Sequence, residues 1–81
     1  MTNLEKYRNA FVECFNVTEE EAEKLEYQCI PAWDSVGHMS LIAALEDEFD
    51  IMMDTDDIID FSSYEKGMEI LAKEEYGVEF S

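Results

Sequence analysis

The stretch that most limits the fold is Ser35 to Phe49. It carries no Pro and no β-branched run, and its apolar residues recur at three- and four-residue steps. Asp34 stands just before it and is a good helix N-cap. A helix over 35–49 follows, with the hydroxyl of Ser35 in its first turn. At 100° per residue, Leu41, Ile42, Leu45 and Phe49 share one side, with Met39 at its edge, and this is the core face. Val36, Ser40, Ala43, Ala44 and Asp47 lie roughly opposite. That second face is small and only partly polar, where a solvated face would carry more Lys and Glu. It reads as a docking surface.

Helical signals continue on both sides. Thr2-x-x-Glu5 is a capping box, and Leu4, Tyr7, Phe11, Cys14 and Phe15 form the buried stripe of a first helix over about 3–15. Asn16 ends it. Thr18-x-x-Glu21 is a second capping box, placing a short turn or helix over 18–25. Pro31 blocks continuation and biases Ile30 to an extended conformation. The connection over 16–33 is long for so small a domain, and Leu25, Tyr27, Ile30 and Trp33 are the residues to hold it down. Beyond Phe49, Thr55 is read as the cap of a short helix over Asp56–Asp60, with Ile58, Ile59 and Phe61 as its apolar contacts. Ser62-x-x-Glu65 is read as a third capping box, opening a last helix over about 63–76 with Tyr64, Met68, Leu71 and Ala72 on one side. Gly77 suits the position after it, and 78–81 is a short tail. The fold expected is all-α: a single domain over 1–81, a four-helix bundle of three main helices plus a short third one.

Charge narrows the partners. Five Lys and Arg face 21 Asp and Glu, a net charge of −16. Nucleic acid and anionic membrane are poor partners for such a surface, whereas basic proteins and divalent cations are good ones. Self-repulsion makes stability depend on salt. Two cysteines are too few for a disulfide scaffold. Cys14 is expected as a small core residue and Cys29 as an inert loop residue. The first residues do not read as a signal peptide, and no apolar run approaches membrane length. A monomeric, cytoplasmic protein without membrane insertion is the expectation.

Enzymatic motifs are missing from the chain. It has no Gly-rich phosphate loop, no Gly-x-Ser-x-Gly elbow and no Cys/His cluster at metal spacing. Asp54, Asp56 and Asp60 are dense but lack the Gly and twelfth-position Glu of an EF-hand, so they read as a solvated acidic face, with a loose surface site for Ca2+ or Mg2+ as the alternative. Asp34, Ser35 and His38 do not read as a catalytic set, because a triad needs an oriented His and an oxyanion hole. Asp34 is occupied as a cap, and His38 falls near the core face as a half-buried structural histidine. What remains is a serine that is acted upon. Between Lys24 and Lys66 there is no Lys or Arg and there are eleven Asp or Glu, a field that steers a basic modifying enzyme onto it.

At these residues the sequence resembles the acyl carrier protein family, the phosphopantetheine-binding four-helix carriers. Asp34-Ser35-Val36 matches that family's Asp-Ser-Leu motif, and Ala44-Leu45-Glu46-Asp47-Glu48-Phe49-Asp50 matches the ending of its second helix. The resemblance implies a 4′-phosphopantetheine arm on Ser35, attached from coenzyme A by a phosphopantetheinyl transferase, with Asp34 helping the transferase and its metal ion engage. The arm's thiol would hold an acyl or aminoacyl group as a thioester. Loading ligases and acyltransferase-type enzymes with basic patches would be its partners, contacted through Val36, Ser40, Glu46, Asp47 and Met53. Met39, Met52 and Met53 are candidates to line an acyl cleft, with ordinary core packing as the alternative. Trp33-Asp34-Ser35 with His38 after it resembles stand-alone carriers outside primary fatty acid synthesis, and Met52-Met53-Asp54 departs from the family's frequent Ile-Pro. The other reading is an acidic adaptor of the carrier fold that is not modified and binds a basic enzyme.

Overall fold

The computed structural model describes residues 2–80. Among these residues five helices follow one another: α1 (Asn3–Phe15), α2 (Glu19–Ala22), α3 (Ser35–Phe49), α4 (Thr55–Asp60) and α5 (Tyr64–Leu71). Among the described residues there is no strand, only an isolated antiparallel bridge between Glu26 and Ser63. The protein is all-α, as its periodicities require.

Local chemistry sets most boundaries. The Thr2 side chain accepts from the Glu5 amide, and α1 ends where Asn16 enters the left-handed region at φ 54°. The Thr18 capping box is complete in both directions, yet α2 is only four residues long, shorter than the span expected. Asp34 caps α3, and Asp50 ends it at φ 54°. Two caps differ from expectation. The cap position of α4 is Asp54, with Thr55 as its first residue. The cap of α5 is Ser63, whose hydroxyl accepts from the Lys66 amide, so the box read from Ser62 is displaced by one residue. Helix α5 also stops at Leu71, not near residue 76. The Val78 amide returns to the Leu71 carbonyl at 3.0 Å, which folds the segment back on the helix and buries Val78.

The core is largely aromatic. Tyr7, Phe11 and Phe15 of α1 meet Trp33, Phe61 and Tyr64, with Phe15 stacked on Trp33 at 5.2 Å and Phe11 edge-on to Tyr64 at 5.0 Å between ring centroids. Leu41, Ile42 and Leu45 of α3 and Ile70 and Leu71 of α5 complete it. A fully buried apolar side chain of this size contributes roughly 1.5–3 kcal/mol. Gly67 on α5 is where the packing is tightest: a methyl group there would land on the Tyr7 hydroxyl and the Phe61 ring. That closeness lets Tyr7 donate its hydroxyl to the Tyr64 carbonyl at 2.6 Å.

Several contacts fall elsewhere than expected. Ile59 is 72% exposed, and Asp57 is the buried residue of α4. Lys73 Nζ and the Tyr76 hydroxyl donate to its two carboxylate oxygens at 2.6 and 2.5 Å. On α5 the buried side comprises Tyr64, Gly67, Ile70 and Leu71, while Met68 is half-buried and Ala72 exposed. Cys14 is half-buried, and burial pushes its thiol up; Cys29 is exposed.

Candidate functional site

The site is built at the junction of the long connection and α3. Asp34 Oδ1 accepts from the Gly37 amide at 2.8 Å, and the Asp34 carbonyl accepts from the His38 amide at 2.8 Å. The first of these satisfies one of the unpaired donors of the helix start, and the second is the opening bond of the helix itself. Gly37 is needed here for space. A methyl group at this position would collide with the backbone carbonyl of Ala32, which crosses the first turn. The sequence 32–37 is thus wound into a tight corner, with Ser35 exposed on its outside.

Beneath the corner lies an aromatic floor. Trp33 is fully buried, and its indole Nε1 donates to His38 Nδ1 at 3.0 Å. An indole N–H can only donate, so Nδ1 is the acceptor and the ring proton sits on Nε2. Nε2 in turn donates to the Ile58 carbonyl at 2.8 Å, tying α3 to α4. His38 is more deeply buried than expected, and neither ring nitrogen hydrogen-bonds Ser35. The Tyr27 ring packs against His38 at 5.2 Å and Trp33 at 6.3 Å. Its hydroxyl reaches Ser35 Oγ at 3.3 Å.

The loop bearing Tyr27 is fastened at both ends. The Tyr27 amide donates to Ser62 O at 2.8 Å, the Tyr64 amide to Leu25 O at 3.0 Å, and the Gln28 amide to Trp33 O at 3.0 Å. Gln28 takes φ 66° to make this turn. Beside the corner is a shallow open cleft lined by Gln28, Cys29, Ile30, Pro31, Trp33 and Asp34.

The residues expected to meet partners divide into two groups. Val36 is 76% exposed, and Ser40 and Asp47 are exposed on the same side of α3, with Met39 and Ala43. Glu46 is half-buried and Met53 is buried. Glu46 Oε2 accepts from the Met53 amide at 2.9 Å, and Met53 is only 7% exposed. Met53 is therefore a core residue rather than a surface contact, and Glu46 fastens the α3–α4 connection. Met52 is 88% exposed and Met39 is also outside, so these two line no interior cleft. Asp54, Asp57 and Glu75, a different trio from the Asp54, Asp56 and Asp60 noted in the sequence, bring carboxylate oxygens within 4.8 Å of one another. Both oxygens of Asp57 are already engaged by Lys73 and Tyr76.

Tyr27 was legible in the sequence only as an apolar anchor of the connection. No spacing rule links it to Ser35 eight residues later, because a loop with a positive-φ turn joins them. No helix among the described residues is long and apolar enough to cross a membrane. Comparison of the chain with protein-family models, with curated proteins and with solved structures finds no match in any of the three.

Proposed function

We propose that the protein is a carrier of the acyl-carrier type, modified on Ser35 with a 4′-phosphopantetheine arm whose thiol holds an acyl or aminoacyl group as a thioester. The observation that carries this reading is the exposed Ser35 hydroxyl on the first residue of α3, presented by an Asp34 cap and backed by a buried Trp33. Ser35 makes no bond that the helix needs; Asp34 does the capping. The exposed side of α3 supports it too: Val36, Met39 and Ala43 offer apolar contact beside Asp47, in a surface of strongly negative charge that favours basic enzymes. The arrangement of four of the helices, with α2 as a further turn in the connection, is in keeping with a carrier bundle. The cargo belongs to a pathway outside primary fatty acid synthesis on this reading, and the protein acts in the cytoplasm as a monomer.

The test is intact mass after incubation with coenzyme A, Mg2+ and a broad-specificity phosphopantetheinyl transferase, beside Ser35→Ala. One phosphopantetheine on the wild type and none on the variant is the expected result. An unmodified wild type, with the transferase active on a control carrier, would turn the reading to an acidic adaptor that binds a basic enzyme without an arm.

A further inference from the structure

We propose that Tyr27 is a positioning residue for Ser35, orienting its hydroxyl before modification and holding the phosphodiester afterwards. The inference rests on the carrier reading above and deepens it. Its starting point is a hydroxyl that the fold does not explain. The Tyr27 ring packs on His38 and Trp33, and a phenylalanine would pack there equally well. Among the described residues the one hydrogen bond of the Tyr27 hydroxyl is to Ser35 Oγ, at 3.3 Å.

The tyrosine is held firmly enough to aim that hydroxyl. Its amide is bonded to Ser62 O at 2.8 Å, and the ring beneath it, His38, is fixed at both nitrogens. Ser35 itself stands on the capped first turn of α3, so neither partner hangs on a mobile tip.

The chemistry of transfer gives the hydroxyl two successive tasks. Ser35 Oγ attacks the phosphorus of coenzyme A that bears pantetheine. An Oγ–P bond forms, the pyrophosphate P–O bond breaks, and adenosine 3′,5′-bisphosphate leaves with the electron pair. The Oγ proton goes to a base of the transferase. Before this step Tyr27 donates to Ser35 Oγ, which fixes the serine rotamer and leaves the serine proton facing outward toward that base. After it, Oγ has no proton, and the same phenol O–H donates to the phosphodiester. A neutral donor matters here because the chain from 25 to 65 has no Lys or Arg to meet the new negative charge.

The experiment compares wild type with Tyr27→Phe, using the same transferase, coenzyme A and Mg2+. With equal melting temperatures, Tyr27→Phe is expected to lower kcat about three- to tenfold, the worth of one neutral hydrogen bond, with KM for the carrier unchanged. The phosphorus NMR signal of the attached phosphodiester is expected to move between the two modified proteins, a change that packing alone would not produce. Equal kcat values, or an unmoved phosphorus signal, would overturn the inference while leaving the carrier reading intact. A wild type that gains no mass would instead remove the carrier reading, and this inference with it.

Discussion

The indole of Trp33 donates to Nδ1 of His38 across 3.0 Å, joining the last turn of the long connection to the first turn of α3. Both side chains are buried, so the bond has no water to replace it. Trp33→Phe keeps the ring and removes the donor, leaving Nδ1 unpaired. The expected loss is about 2 kcal/mol, the cost of an unsatisfied buried acceptor plus some lost area. Denaturant unfolding measures it. Nitrogen NMR of the wild type is expected to show the proton on Nε2; a proton on Nδ1 would contradict the assignment.

Gly37→Ala is expected to destabilise, although alanine is the better helix former by about 1 kcal/mol. The added methyl group meets the Ala32 carbonyl, a backbone atom that cannot rotate away. Overpacking of this kind costs about 1–3 kcal/mol, which lowers the melting temperature by about 5–15 °C in a domain of this size. An unchanged or raised melting temperature would show that the corner at 32–37 is looser than described.

Hydrogen bonds from Lys73 and Tyr76 hold the Asp57 carboxyl below the usual carboxylate range. In the unfolded chain its pKa returns to about 3.9. The group therefore stabilises the fold at pH values above about 4, and that contribution disappears as the pH falls through the lower folded value. Urea titrations of wild type and Asp57→Asn from pH 7 to pH 2 are expected to show a constant stability gap down to about pH 4 and a shrinking one below. A gap independent of pH would contradict the proposed pairing.

With a net charge of −16, raising NaCl from 10 to 150 mM shortens the screening length from about 30 to about 8 Å. The melting temperature is expected to rise by about 5 °C, the shift that ~1 kcal/mol gives a domain of this size. A flat profile would mean that the acids are too dispersed to repel.

Much of the frame was legible because its signals are local. The bounds of α1 and α3, the Thr18 box and the Asp34 cap follow from residues within one turn of each other. Where two adjacent residues could each cap, as with Ser62 and Ser63 or Asp54 and Thr55, propensity did not choose between them. At the second of the serines the bridge from Glu26 to Ser63 fixes the backbone that does. The early end of α5 depends on the Val78 return to Leu71, a tertiary bond. At the site, Ser35 and its cap were readable, while the bond from the Met53 amide to Glu46 and the burial of Met53 were not. A wheel gives the angle of Glu46 but not the loop amide that arrives there. Tyr27 belongs to the same class: its meeting with Ser35 is a product of loop closure.

The fastening of the Tyr27 loop to the start of α5 has a consequence for opening motions. Tyr27 and Tyr64 donate their amides across the same two-segment junction, to Ser62 and Leu25. The serine's surroundings therefore cannot breathe separately from the last helix. Amide exchange at Tyr27 should be slow and should track that at Tyr64, as two readouts of one cooperative unit. The exposed serine thus sits on ground that gives way only when much of the fold does.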